Sequence, residues 1–164
     1  MTPYFLDDNH KNGLSNSLQS WIGTPYFRRV AVKGRGIDCT LLIGECLKEC
    51  GVLLKINPTE FFPADWYKST KSQFLIETVK SNFDTNLKEG LSYEYMEYKN
   101  DTKLIYGDVL AFNFSRDSEV ISHTAFYTDN NTMTHSIVDR EVCRIQLGHF
   151  LGKRMTYIFR IMEE

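Results

Sequence analysis

The chain has 164 residues, of which 42% are hydrophobic and 24% are charged. This composition excludes an intrinsically disordered protein, and the length suits one domain with its own hydrophobic core. The 19 Lys and Arg residues nearly balance the 21 Asp and Glu residues, which leaves a formal net charge of -2. Nucleic-acid binding is therefore not expected, because that function needs a strongly basic face.

The first half of the chain has a helical hydrophobic period. It predicts a short first helix that ends over Asn16–Trp21, a second over Asp38–Cys50 and a third over Ser69–Phe83. A basic, glycine-bearing loop over Phe27–Gly36 follows the first helix, and a loop rich in proline and aromatic residues covers Asn57–Lys68. The predicted helices thus precede the segments with strand character.

The second half shows the alternation of strands. Predicted strands cover Leu91–Tyr98, Val109–Phe114, Ile121–Thr128, Met133–Val138 and Arg154–Met162. The third and fourth strands flank Asp129-Asn130-Asn131 and form a predicted hairpin. Helices first and neighbouring strands second predict an α+β fold, in which N-terminal helices pack on a central antiparallel sheet.

The whole chain, 1–164, is predicted to be one domain with a polar N-terminal arm over 1–13. This arm lacks the apolar stretch of a signal peptide, and no segment has the ~20 apolar residues of a membrane span. We therefore expect synthesis in the cytoplasm and no membrane insertion. The four cysteines do not have the paired short spacings of a structural zinc site: Cys39, Cys46, Cys50 and Cys143.

Cys39 is the first candidate for chemistry, because it lies at the predicted start of a helix. Unpaired backbone N–H groups and the helix dipole favour a thiolate at that position. The alternative is a buried cysteine with a structural role. The helix body would in either case hold the sulfur in a fixed place.

His123 and His135 are the next candidates. A histidine on a strand beside a thiol at a helix start is the arrangement of cysteine–histidine catalysis. A three-residue hairpin loop pairs Thr128 with Thr132 and places the two histidines diagonally on one face, with ~7–8 Å between their backbones. A two-residue loop would move His135 to the opposite face. The first register predicts a relay from Cys39 through His123 to His135.

Four segments, in this order, carry a resemblance to a known family. They are W-I-G-T-P-Y from Trp21, K-G-R-G-I-D-C ending at Cys39, G-D-V-L-A-F from Gly107, and S-H-T-A-F-Y followed by M-T-H-S. Together they resemble the NlpC/p60 cysteine peptidases over Trp21 to Ile161, and most closely the phage and gene-transfer-agent branch. The resemblance implies a papain-like fold that cleaves peptidoglycan stem peptides, at a γ-D-glutamyl bond to a diamino acid, without a metal or organic cofactor.

Matched to the motifs of that family, Cys39 is the nucleophile, His123 the general base and His135 the residue that orients the base. Tyr26 and the backbone N–H of Cys39 match the groups that stabilise the oxyanion. Asp38 matches a carboxylate that receives the free amine of the substrate, and the alternative for Asp38 is a helix N-cap. The resemblance therefore implies a triad and a binding site around one helix start.

Other residues are candidates for substrate contacts. Thr40 stands where the family commonly has serine after the nucleophile, and it retains a hydroxyl. Trp66 and Tyr67 are interpreted either as a lid over the cleft or as core residues. The basic loop either is a solvated loop or holds carboxylates of a stem peptide; its charged residues are Arg28, Arg29, Lys33 and Arg35.

The expected partners are a peptidoglycan stem peptide and, in a phage or gene-transfer-agent tail, the tail-tip proteins. Two alternatives stay open. One is a catalytically silent tail or hub protein with the same fold, and the other is an amidase or acyltransferase that acts on a substrate outside the cell wall.

Overall fold

The structure is a computed structural model that describes residues 1–58, 73–115 and 117–164. Its α-helices are α1 (Asp8–Trp21), α2 (Cys39–Glu49), α3 (Phe74–Asn86) and α4 (Gly148–Arg154). Its strands are β1 (Thr2–Pro3), β2 (Ala31–Val32), β3 (Gly36–Ile37), β4 (Leu91–Glu97), β5 (Val109–Phe112), β6 (His123–Thr128), β7 (Thr132–His135), β8 (Cys143–Gln146) and β9 (Met155–Glu163). A 3-10 turn over Tyr4–Leu6 precedes α1.

Seven strands form one antiparallel sheet in which six follow the order β1-β9-β5-β6-β7-β8, and β4 also pairs with β9. Strands β2 and β3 form a separate two-stranded ribbon. Helix α2 packs against α1, α3 and β6. The predicted α+β class, with helices on a central antiparallel sheet, is confirmed.

Two buried apolar clusters cover the two faces of the sheet, because successive side chains of a strand point to opposite faces. The cluster on the helix side includes Leu18, Leu42, Leu47, Val109, Phe126 and Phe159. The cluster on the other side includes Leu110, Phe112, Ala125, Met133 and Ile158. Strand β6 is buried along its whole length, which fixes the position of His123 at its start.

Residues 1–13 do not form the polar arm that we predicted. Thr2–Pro3 pairs with the end of β9, and the side chains of Tyr4 and Phe5 are buried. Helix α1 begins already at Asp8, since the side chain of Asp7 caps it by accepting two backbone N–H groups. The polar residues of this segment thus lie on the exposed side of a helix. The helical hydrophobic period could not be detected there because α1 has apolar residues only in its second half.

Gly107 joins the N-terminal segment to the sheet. Its φ of 85° is left-handed, and a Cβ at this position would lie 2.2 Å from the ring of Phe5. The N–H of Gly107 donates to the carbonyl of Tyr127, and the N–H of Tyr127 donates to the carbonyl of Asp108. A glycine is required here because both the backbone conformation and the space exclude a side chain.

The predicted helices and strands agree best with the structure where capping residues and hydrophobic periodicity are clear. Helix α2 has the predicted extent, with Asp38 as N-cap and Cys50 as C-cap. The third helix ends later than predicted, at Asn86, and the hairpin strands are shorter than predicted. Strand β8 and helix α4 were not predicted.

Candidate active site

Cys39 is the first residue of α2, and its position is set by the cap that precedes it. One carboxylate oxygen of Asp38 accepts the N–H of Leu41 and the other accepts the N–H of Arg29, both at 2.8 Å. Strand β3 leads into this cap, and a Cβ at Gly36 would lie 2.8 Å from the Cβ of Phe27. The chain therefore enters the helix in one defined direction, with the Cys39 side chain only 7% exposed.

His123 and His135 lie side by side at the open end of the β6–β7 hairpin. Nε2 of His123 is 2.9 Å from Nδ1 of His135. The predicted register is confirmed, because Thr128 pairs with Thr132 across a three-residue loop. Two consecutive loop residues, Asn130 and Asn131, have left-handed φ angles of 63° and 55°. Asparagine tolerates this conformation, so the loop type and the histidine contact follow from the same residues.

The aromatic surroundings of His123 hold its ring in place. The ring lies 5.2 Å from the ring of Phe114 and 5.9 Å from that of Phe112, measured between centroids. His123 is 5% exposed and His135 is 2% exposed. Both imidazoles are therefore largely removed from solvent, and the hydrogen bond between them fixes the orientation of each.

Two hydroxyl groups connect the histidine strands to the segment that carries Cys39. The hydroxyl of Thr124 donates to the carbonyl of Cys39 at 3.2 Å, and that of Ser136 donates to the carbonyl of Ile37 at 2.6 Å. The backbone N–H and the hydroxyl of Thr124 also interact with the thiol of Cys39. The thiol of Cys39 thus lies beside Thr124, one residue after His123 at the start of β6.

Burial decides the charge state of this site. It raises the pKa of the Cys39 thiol, and the Asp38 carboxylate raises it further, while interactions with Thr124 and Thr40 lower it only in part. Burial also lowers the pKa of His123 to about 3 and that of His135 to about 4. At neutral pH the resting site therefore holds a neutral thiol and neutral imidazoles. Burial and the Asp38 carboxylate thus oppose the thiolate that the start of a helix favours, and the preferential reactivity of Cys39 stays a prediction.

The other predicted site residues lie around the same helix start, as far as the structure describes them. The N–H of Tyr26 donates to the carbonyl of Arg140 at 2.9 Å, and Tyr26 is bridged to Ile37, two residues before the thiol. The hydroxyl of Thr40 is 3.9 Å from the sulfur of Cys39. Asp38 is the N-cap of α2, which was the alternative to its role as a receptor for the substrate amine. Trp66 and Tyr67 lie outside the described residues, so their predicted role as lid or core stays a prediction.

Lys33 holds the basic loop against α1 and α2. Nζ of Lys33 lies 3.0 Å from a carboxylate oxygen of Glu49 and 5.2 Å above the ring of Trp21. The same carboxylate accepts hydrogen bonds from Ser17 and from the indole of Trp21. Glu49 was not singled out from the sequence, because its partners are 16 to 32 residues away along the chain.

Thr124 and Ser136 were also not assigned to the predicted triad. The signal that could have found them is their position, since each follows a histidine in a buried strand. Among the residues that the structure describes, no group of three or more His, Cys, Asp and Glu side chains is placed to bind a metal ion. In the same ranges, no helix has the length and apolar character needed to cross a membrane.

The chain is similar in fold to solved structures of known proteins. No family model matches the chain, and no curated protein matches it. An NLP/p60 family protein from Staphylococcus aureus, described as similar to a lipoprotein, has a TM-score of 0.59 and 15% identity, with 100% of this chain and 45% of that chain covered. An NlpC/p60 family protein from Bacillus cereus has a TM-score of 0.55 and 16% identity, with 90% of this chain and 39% of that chain covered.

A shorter similar structure matches over nearly its whole length. The NlpC/p60 domain of the peptidoglycan hydrolase SagA has a TM-score of 0.50 and 12% identity, with 90% of this chain and 96% of that domain covered. The chain spans less than half of the length of the proteins from Staphylococcus aureus and Bacillus cereus. At these identities the likeness is one of fold, and the chain has the papain-like α+β fold of the NlpC/p60 structures.

Proposed function

We propose that this protein is a cysteine peptidase or amidase that hydrolyses an amide bond in peptidoglycan stem peptides. The observation that carries the proposal is the 2.9 Å hydrogen bond between His123 and His135, at a strand start against which the thiol of Cys39 is held. A thiol, a buried imidazole and a second group that orients the imidazole are the parts of nucleophilic amide hydrolysis. The similar fold of a domain from the peptidoglycan hydrolase SagA supports the cell wall as the source of the substrate.

The charge state of the site determines the first proton transfer. As Sγ of Cys39 attacks the carbonyl carbon, its proton moves to Nδ1 of His123, because Nε2 of that ring is bonded to His135. Nε2–H of His123 then donates to Nδ1 of His135, which stabilises the imidazolium. The N–H of Cys39 has no acceptor within its helix, and it stabilises the oxyanion together with the hydroxyl of Tyr26.

The remaining steps return the site to its resting state. The tetrahedral intermediate loses the amine when the C–N bond breaks, and His123 gives its proton to that amine. Water then attacks the thioester carbonyl while His123 accepts a proton from it. Breakage of the C–S bond releases the carboxylic acid, and the proton on His123 returns to the sulfur of Cys39. No external redox or cofactor chemistry enters these steps.

The substrate class follows from the resemblance and from the charges near Cys39. We place a γ-D-glutamyl bond to a diamino acid at the thiol, with the free amine of the peptide near Asp38. Each oxygen of Asp38 already accepts one backbone N–H. A carboxylate offers about four lone-pair sites, so a bond to an amine is compatible with the cap. Assembly into a phage or gene-transfer-agent tail stays a prediction from the sequence.

Digestion of purified peptidoglycan, followed by mass spectrometry of the released peptides, tests this function. We expect peptides whose new termini identify one type of cleaved amide bond, and no such peptides from the Cys39→Ala variant. Release of no peptides by the wild-type protein would contradict the proposal and favour a silent tail protein, and equal release by Cys39→Ala would exclude Cys39 as the nucleophile. Hydrolysis of a soluble acyl amide, without release of wall peptides, would favour the amidase or acyltransferase alternative.

The pH dependence of kcat/KM is expected to show an acidic limb near the pKa of His123, about 3. The base must be neutral to accept the proton of the thiol, so activity is present above this pKa and is lost as the pH falls through it. Rates on a soluble stem peptide, with folding followed by circular dichroism, measure the limb. Loss of activity near the ordinary histidine pKa of ~6.5, with the fold intact, would show that the imidazole is not desolvated in this way.

His135→Asn is expected to lower kcat by about 10-fold and His135→Ala by about 10³-fold, with little change in KM. An amide at position 135 can still hydrogen-bond to Nε2 of His123, whereas alanine leaves that nitrogen without its partner. Steady-state rates on a soluble stem peptide give both constants. The matched control is His10→Asn, since His10 stacks on Tyr4 in the N-terminal segment. Full activity of His135→Ala would exclude His135 from the triad.

Asp38→Asn is expected to remove the preference of the enzyme for a peptide with a free amine. An amine–carboxylate hydrogen bond is worth ~1.5–3 kcal/mol, which corresponds to roughly 10- to 100-fold in discrimination. Asparagine can still accept the N–H of Leu41 as N-cap but has no second oxygen for the N–H of Arg29, so circular dichroism must show that α2 stays intact. Turnover of a stem tripeptide and of its N-acetylated form, by wild type and variant, measures the preference. Equal wild-type rates on both substrates would leave Asp38 with the cap role alone.

A further inference from the structure

Two buried hydroxyl groups belong to the residues that directly follow the two histidines. Thr124 follows His123 in β6 and Ser136 follows His135 after β7, and both side chains are fully buried. Their hydrogen bonds go to the carbonyls of Cys39 and Ile37. We infer that Thr124 and Ser136 are positioning residues, which together form a hydroxyl clamp that holds the nucleophile in register with its base.

The two hydroxyls of the clamp reach the helix start from neighbouring strands. Thr124 lies in β6, which packs against α2, and Ser136 directly follows the last residue of β7. The acceptors are the carbonyls of Ile37 and Cys39, one on each side of Asp38. Each hydrogen bond therefore connects the helix start to a residue that is one peptide bond away from a histidine.

Three hydrogen bonds thus close a ring through three segments of the chain. The first joins the two imidazoles at 2.9 Å, the second joins Thr124 to Cys39 at 3.2 Å, and the third joins Ser136 to Ile37 at 2.6 Å. The last two connect residues that are 85 and 99 positions apart. These two bonds connect the segment around the start of α2 to the histidine strands, and directional bonds fix a position more narrowly than apolar packing does.

Thr124 has a second contact that makes the clamp measurable. Its hydroxyl and its backbone N–H both lower the pKa of the Cys39 thiol. A hydroxyl that only satisfied a buried carbonyl would affect stability alone. A hydroxyl that also positions the sulfur affects the rate and the pH dependence of every reaction of that sulfur, including alkylation, which requires no turnover.

The test compares Thr124→Val, Thr124→Ser and Ser136→Ala with a control at the other end of the hairpin. Thr128→Val is matched to Thr124→Val, because Thr128 is a buried threonine in the same strand and bonds to the hydroxyl of Thr132. The positioning role rests on the proposed function where it concerns turnover. We therefore measure both kcat and KM on a stem peptide and the pH profile of Cys39 alkylation by iodoacetamide, located by peptide mass spectrometry.

Thr124→Val and Ser136→Ala are expected to lower kcat about 10- to 100-fold with little change in KM, because a small misplacement of reacting groups has an effect of this size. Thr124→Val should also move the alkylation profile to higher pH, since it removes a group that lowers the pKa of the thiol. Thr124→Ser should restore both properties, and Thr128→Val should change neither.

The two proposals fail in different ways. Absence of turnover by the wild-type protein would contradict the proposed peptidase. The positioning role would still be supported in that case if the alkylation profile shifted in Thr124→Val and not in Thr128→Val. That role is overturned if the alkylation profiles of Thr124→Val and wild type coincide. It is also overturned if Thr128→Val lowers kcat as much as Thr124→Val does, because the effect would then come from a general loss of stability.

Discussion

His123→Ala is expected to lower kcat on a stem peptide by at least about 10³-fold, and Cys39→Ala to abolish turnover. The reason is the charge state of the resting site. The thiol is protonated and buried, so attack on the carbonyl requires a group that accepts its proton at that moment. Nδ1 of His123 is the nitrogen left for this purpose, since Nε2 is bonded to His135.

The measurement is the release of peptides from a soluble muropeptide, followed by chromatography and mass spectrometry. Cys50→Ser is the matched control for the nucleophile, because Cys50 is a free cysteine at the other end of the same helix. We expect wild-type rates for this control. A His123→Ala variant with more than about a tenth of the wild-type kcat would show that another group accepts the proton.

The parts of the site that depend on short stretches of sequence could be predicted. Asp38 marks the start of α2, and the Asn130–Asn131 pair sets a three-residue loop. The loop then fixes the register that brings His123 and His135 together, so one local feature determined a contact between residues 12 positions apart. Capping and hairpin geometry act within a few residues, which is why the sequence alone contains them.

The parts that depend on distant segments could not be predicted. Thr124 and Ser136 find their acceptors 85 and 99 residues away, and no local pattern specifies such partners. The raised pKa of Cys39 has the same origin. A helix start favours the thiolate by a local effect, whereas the desolvation that opposes it depends on the chain that covers the sulfur.

The structure of the N-terminal segment also depends on a distant part of the chain. Its first residues pair with the end of β9, which is the last strand of the chain. Polar residues in the first turn of α1 obscured the helical period, and two-residue strands such as β1 leave no periodicity to detect. The prediction of an arm over 1–13 therefore failed because the partner of this segment lies at the other end of the sequence.

Arg160→Ala is expected to lower the free energy of unfolding by about 3–5 kcal/mol at neutral pH. The guanidinium donates to both carboxylate oxygens of Asp108 at 2.8 Å, and the Asp108 side chain is 1% exposed. Asp108 also accepts one local hydrogen bond, from the N–H of Ile105. Removal of Arg160 leaves a buried charge whose compensation is mostly lost.

The pH dependence of this loss separates charge from packing. Burial already raises the pKa of Asp108, and Arg160 is the largest influence that lowers it. In Arg160→Ala the native carboxyl therefore holds a proton to higher pH than the unfolded one does, so the variant gains stability relative to wild type as the pH falls from about 7 to about 5. Urea denaturation at both pH values measures the difference.

Two controls make the result specific to the buried pair. Lys48→Ala breaks the exposed pair with Glu45, which is also 2.8 Å long, and should change the free energy of unfolding by less than about 1 kcal/mol. The double variant Asp108→Asn/Arg160→Ala should be more stable than Arg160→Ala alone at neutral pH, because it buries no charge. If the double variant instead loses the sum of the two single effects at both pH values, the role of Arg160 is packing of its side chain, and the charge of Asp108 has no part in it.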